Sequence, residues 1–135
     1  MALETNEFFS SVSRSGPVGV IPHEGGVKPV TFDGDGAGTL LAPGTPVAFD
    51  SATSLWVLWD STGLNDEDTI RGFVYPDEIQ LHATDEVVGQ ILQRGEIDYA
   101  SIVLPAGEVE ADLKAALRVG PRTLGLVIDN LSEVH

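Results

Sequence analysis

The sequence predicts a single α+β domain, mostly antiparallel β, with one principal helix and an extended N-terminal arm. Three observations predict it. From Val87 to Ile97 the residues alternate: Val87, Ile91 and Ile97 share one parity, while Val88, Gln90, Leu92, Arg94 and Glu96 share the other. That is the pattern of a strand. From about 108 to 118, Val109, Leu113, Ala116 and Leu117 recur at helical spacing. Before Val30 no period holds, and Pro17, Pro22 and Pro29 forbid a continuous helix. The expected division is therefore residues 1–29 as the arm and 30–135 as the β-rich domain. A chain of 135 residues suits one domain with a core of its own.

The arm begins with loop chemistry, Ser10 to Pro17. A floppy terminus is one reading of it. Yet Phe8, Phe9, Val18, Val20 and Ile21 are more apolar anchors than a solvating tail requires. The other reading is therefore an arm that orders by adding a strand to a partner's sheet, and the sequence alone leaves both readings open. Fully extended, such an arm reaches on the order of 100 Å.

Val30-Thr31-Phe32 begins the domain as a short strand and meets the glycine-rich run Asp33 to Gly38. The Gly34/Gly36 spacing fails as a dinucleotide loop, because no helix follows and Pro43 is close behind. Asp33 and Asp35 fail as a calcium loop. Ala37 stands at the third acid position, and Gly44 stands where a bidentate Glu is needed. A tight hairpin loop is expected instead. Gly44 to Asp50 and Leu55 to Trp59 read as two strands across an Asp50-to-Ser54 turn. Leu55, Val57 and Trp59 share one face; Trp56 and Leu58 share the other. With both faces apolar, the strand is central or lies at a subunit interface. Trp56 and Trp59 are the candidates for that interface, with a core role the expected one.

Asp60 to Asp68 reads as a solvated acidic loop. Ile70 to Tyr75 is another strand, stopped by Pro76. Ile79 and Leu81 alternate with Gln80 and His82, a half-buried strand with His82 outward. Leu104-Pro105-Ala106-Gly107 is turn chemistry leading into the helix. Glu108, Glu110 and Asp112 come early in that helix, with Lys114 and Arg118 late, an order that complements its dipole. Gly120-Pro121 is expected to stop it. Leu124 to Ile128 then reads as a closing buried strand.

Composition narrows the function. Without cysteine there is no disulfide, zinc-thiolate site or thiol nucleophile. A formal charge of −14 argues against nucleic acid and against an anionic membrane surface as partners. No apolar run reaches the length of a membrane span. The first residues lack the basic stretch of a signal peptide, so synthesis in a cytoplasm is expected. No zinc-protease motif, phosphate-binding loop or nucleophile elbow is present, and nothing in the sequence converges His23, His82 and His135. Glu96 and Asp98, two apart on one strand, are the best acid–base candidates; such pairs are common on solvated faces. The expectation is a non-enzyme without cofactor or metal. A second reading is a carbohydrate or small-ligand cleft lined by Trp56, Trp59, Tyr75 and Tyr99.

The C-terminal half carries a resemblance. The strand leading to Gly95-Glu96-Ile97, the Leu104-Pro105-Ala106-Gly107 lead into an Ala/Leu helix, and the closing Arg122-Thr123-Leu124-Gly125-Leu126 together resemble the phage head decoration proteins of the lambda gpD type. Phe73-Val74-Tyr75 fits that family's central strands more loosely. The resemblance implies a non-enzymatic capsid cement protein on the outer surface of the virion head. It implies a homotrimer at three-fold and quasi-three-fold positions, with arms that touch the major capsid protein. The motifs are structural rather than chemical.

Overall fold

The structure, a computed structural model, describes residues 19–131. In chain order the elements are β1 (Val20–Pro22), β2 (Val27–Phe32), β3 (Leu40–Leu41), β4 (Pro46–Asp50), β5 (Leu55–Leu58), β6 (Gly72–Val74), β7 (Ile79–Gln80), β8 (Val87–Leu92) and β9 (Gly95–Asp98). A 3-10 turn at Tyr99–Ser101, α1 (Glu110–Leu117), α2 (Gly120–Leu124) and β10 (Leu126–Asp129) complete them. The fold is α+β and mostly β, with one principal helix, as the periodicities predict.

Five strands close into a barrel in the order β2-β5-β4-β6-β8. Its pairings are antiparallel except β2–β5, which meet in parallel at Phe32 and Trp56. A second sheet has the order β10-β9-β1, and β3 pairs with β7 as a two-stranded ribbon. Every barrel strand sends a side chain inward: Val30 and Phe32, Val47, Trp56, Val74 and Ile91. Leu41, Ile79 and Leu81 from the ribbon region cover this first core. A second core fills the space between the barrel wall, α1 and the second sheet. It holds Trp59, Ile70, Phe73, Leu92, Ile97, Leu113, Leu117 and Leu126.

Strands β6 and β8 form the wall between the two cores. Val74 and Ile91 face the barrel, while Phe73 and Leu92 face the helix. All four are fully buried. Strand alternation sends neighbours to opposite faces, and here both faces are dry. Each such side chain contributes about 1.5–3 kcal/mol by burial.

Four expectations need correction. First, the strand expected over 87–97 is two strands. It breaks after Leu92 because β8 belongs to the barrel and β9 to the second sheet. Gly95 makes that crossing at φ +135°, where a Cβ would strike the Ile21 carbonyl. Second, Gly120-Pro121 does not end the helical region; it opens α2. Proline in a first turn gives up an N–H that has no helical partner anyway. The stop comes at Gly125, left-handed at φ 83°. Leu124 is thereby helical, and the closing strand starts at Leu126. Third, the 29/30 boundary falls inside β2, which pairs with β8 from Val27↔Leu92 to Phe32↔Val87. Residues 20–29 thus belong to the domain. Fourth, the 33–38 loop is no hairpin, since β2 pairs with β5 and β8 while β3 pairs with β7.

Candidate functional site

The second sheet holds the first described strand, β1. Its middle strand is β9. Ile97 points into the second core, which turns Glu96 and Asp98 outward. Glu96 lies between Ile21 of β1 and Val127 of β10, and Asp98 lies beside Asp129. Ile21 is 59% exposed and Val127 48%. Val20, one residue away, packs against the second core. Alternation therefore divides the two apolar anchors: one holds the sheet down, and the other faces out.

Gly19 is tied to this sheet. Its carbonyl accepts from the Asp98 N–H at 2.9 Å. Asp98 also caps the 3-10 turn, its carboxylate accepting from the Ala100 N–H at 3.0 Å. The other carboxylate oxygen accepts from Asn130 Nδ2 at 3.2 Å. Asp98 is thus occupied in joining β1, β9 and the end of β10. Glu96 and Asp98 share a face, as expected, and the hydrogen bonds of Asp98 run to these structural groups.

The remaining candidates separate. Phe8, Phe9 and Val18 lie outside the described residues. Trp56 is 8% exposed in the barrel core, with its ring edge-on to Phe49 at 5.6 Å between centroids. Trp59 is 1% exposed in the second core, and its Nε1–H donates to the Asp68 carbonyl at 3.0 Å. Both rings are packed within this chain, so neither presents a face to a second subunit. Tyr75 and Tyr99 pack with Trp59 on the second core, across the β6–β8 wall from Trp56. The four aromatics therefore do not line one cleft. The Tyr99 hydroxyl donates to Glu110 Oε2 at 2.7 Å. Burial, then the hydrogen bond and charge of Glu110, push this phenol up to about 12. Lys114 Nζ stands 5.4 Å from the Tyr99 ring centroid and 3.8 Å from the Glu110 carboxylate.

The acidic loops are structured. Asp35 accepts from the N–H groups of Ala37 at 2.9 Å, Gly38 at 2.7 Å and Thr39 at 3.3 Å. With the Thr39 hydroxyl as the largest influence and the Ala37 amide next, the carboxyl falls to about 2. The loop read from sequence as merely glycine-rich is thus pinned by one carboxylate. Asp50, 7% exposed at the end of β4, shares a hydrogen bond with the Glu67 carboxyl. The Ala52 amide, at 2.8 Å from Asp50 Oδ1, holds Asp50 below its usual range. Burial raises Glu67, helped by the Asp50 hydrogen bond and by the charges of Asp50, Asp60 and Asp33. Nothing in the sequence links residues so far apart.

Among the described residues, no group of three or more His, Asp or Glu gathers closely enough to hold a metal ion. His23 and His82 are exposed on separate segments, and His135 is outside the described residues. No described helix is long and apolar enough to cross a membrane. A cavity of about 310 Å³ lies between the end of α1, α2 and β10, and Arg118 and Arg122 line it. From sequence Arg118 reads only as a late-helix charge, and Arg122 only as part of the closing stretch. Against known proteins, no family model matches the chain, and no curated protein matches it.

Proposed function

We propose that this chain is a phage head decoration protein: a non-enzymatic cement subunit on the outer capsid surface, acting as a homotrimer against the major capsid protein. The observation that carries the reading is the stretch from Val87 to Leu126, in which the resemblance lies. It forms one contiguous unit, β8 through the start of β10, that both closes the barrel and supplies α1 to the second core. Two further features support the reading. Eighteen residues precede Gly19, with Phe8, Phe9 and Val18 among them, and the first described strand, β1, stands at a sheet edge. The charge of −14 suits a subunit that meets protein rather than packaged DNA.

In this reading the work is mechanical. The subunit clamps neighbouring capsomers after the shell expands and adds buried area where internal pressure pushes outward. Ordering an arm costs about 1–2 kcal/mol per fixed residue, so its contact with the shell has to be extensive. Co-sedimentation with expanded shells that lack a decoration protein tests it. The full chain is expected to bind. Removal of residues 1–18, which leaves β1 paired to β9, should weaken binding severely and leave the thermal transition in place. Failure of the full chain to bind any expanded shell would refute the reading. Undiminished binding by the shortened chain would move attachment to the barrel domain.

A further inference from the structure

We propose that the cleft between the 60–69 loop and α1 takes an arginine side chain presented by a partner protein. The cleft has a volume of about 410 Å³. One wall is the loop, which offers the Ser61 and Thr69 hydroxyls and the Asp68 carboxylate. The other is a stripe of α1 at helical spacing, Asp112 with Ala115 and Ala116, continued by Val119. The apolar part of that stripe is accessible: Val119 is 65% exposed, and Ala115 is exposed as well. Both carboxylates are on exposed residues, and among the described residues no Lys or Arg lines the cleft. Among the described residues the Asp112 side chain makes no hydrogen bond or ion pair. The Asp68 carboxylate meets the Thr69 hydroxyl at a slack 3.5 Å.

The loop wall is fixed in place. The Trp59 Nε1–H donates to the Asp68 carbonyl at 3.0 Å. The Ser61 N–H donates to Glu108 Oε2 at 3.1 Å, which ties the loop to the lead into α1. Acceptors held in this way lose little freedom when a ligand arrives. Their chemistry selects the occupant. Two carboxylates with no cation beside them call for positive charge. The hydroxyl oxygens add acceptors at separate points. A guanidinium spreads its donors over a planar fork, whereas an ammonium holds them at one point. A long aliphatic stem covers an apolar strip such as Ala115 and Val119 while its charged head reaches polar groups. A metal ion would leave that strip bare. A sugar ring calls for an open aromatic face, and Trp59 lines the cleft at only 1% exposure. The site goes beyond the capsid reading and does not rest on it.

The probes are N-acetyl-arginine methylamide, which carries the side chain as a protein does, and its neutral isostere made from citrulline. Each is titrated into the isotope-labelled full chain. The arginine probe should give saturable amide shifts at Ser61, Thr69, Asp112 and Val119. The citrulline probe should leave those amides unmoved. Asp68→Asn with Asp112→Asn should weaken the arginine probe by at least about tenfold. Ala115→Trp, at an exposed position, fills the cleft without changing charge and should block the probe too. Unshifted amides at Phe32 and Ile91 confirm the fold of each variant. Equal shifts from the two probes would overturn the site. So would full binding in either variant, or shifts that rise without saturation along every acidic loop, the mark of general attraction to a charge of −14. Putrescine that binds as tightly as the arginine probe would assign the cleft to small amines and overturn a protein-borne arginine. Saturable shifts at the same amides from methyl glucoside would assign it to a hydroxylated ligand and overturn the proposal as well.

Discussion

Asp50 and Glu67 meet carboxyl to carboxyl, and the hydrogen bond between them needs a proton that neither ionised group can supply. Asp50 also accepts from the Ala52 amide, which favours its charged form. Glu67 is therefore the partner that keeps the proton.

The pH dependence follows from the two directions. Glu67 is raised, so its contribution is full below its unfolded value near 4.5 and is lost as pH climbs through its folded value. Asp50 is lowered, so its contribution holds above its unfolded value near 3.8 and is lost as pH falls through its folded value. Both contributions are full only between the two unfolded values, 3.8 and 4.5, and the pair weakens on either side. Glu67→Gln supplies a donor that needs no proton. Its Tm should exceed that of the wild type by about 1–3 °C near neutral pH, and the gap should vanish in mild acid. Calorimetry across that range checks this; parallel profiles for the two proteins would argue against a shared proton.

Tyr99 should stand apart in an alkaline titration. Its phenol is expected to ionise at about 12 instead of near 10. Its stabilising contribution is present below 10 and is lost as pH rises through about 12. Ultraviolet difference spectra of the wild type and Tyr99→Phe isolate this step. The substitution itself should cost about 0.5–1 kcal/mol through the lost bond to Glu110. A Tyr99 that titrates with an ordinary midpoint would mean the Glu110 contact does not persist in solution.

Gly120 sits against the backbone of Ile70, and an added methyl would strike the Ile70 carbonyl oxygen. Gly120→Ala should destabilise by roughly 2–4 kcal/mol in urea unfolding, since backbone on both sides leaves nothing flexible to yield. A loss under about 0.5 kcal/mol would show that α2 can shift on Ile70.

Val20 and Ile21 offer a paired test of β1. Val20→Ala should cost about 1–2 kcal/mol, because Val20 packs on the second core. Ile21→Ala should stay within about 0.5 kcal/mol, because that side chain is 59% exposed. Equal losses at the two positions would contradict the register of β1 on β9.

Local patterns were legible wherever the cause is local. The alternation of Val87 to Leu92, the spacing of Leu113 and Leu117, and the two apolar faces at Trp56 and Trp59 all depend on near neighbours in sequence. Their outcomes stand in the fold. Partnership is a different matter. Val27 pairs with Leu92, and Phe32 with Trp56, across separations that no periodicity encodes. The barrel's closure, and the break at Gly95 that follows from it, were therefore invisible. Gly120-Pro121 was misread because the same two residues serve a helix end and a helix start. Arg118 reads from sequence as a late-helix cation, whereas Arg122 reads as part of the closing stretch and proves to lie in α2. Their common cavity depends on β10 lying alongside, and that is again a matter of pairing.

The wall of Phe73, Val74, Ile91 and Leu92 has a consequence for how the molecule comes apart. Each core needs β6 and β8, one for a lining and the other for a floor. Opening the barrel strips Phe73 and Leu92 from the helix side; undocking α1 exposes the back of the barrel wall. Neither half can melt and leave the other standing. Amides as distant as Phe32 and Leu117 should exchange with deuterium at one common rate, that of the global opening. Heating should give one transition, with calorimetric and van't Hoff enthalpies equal.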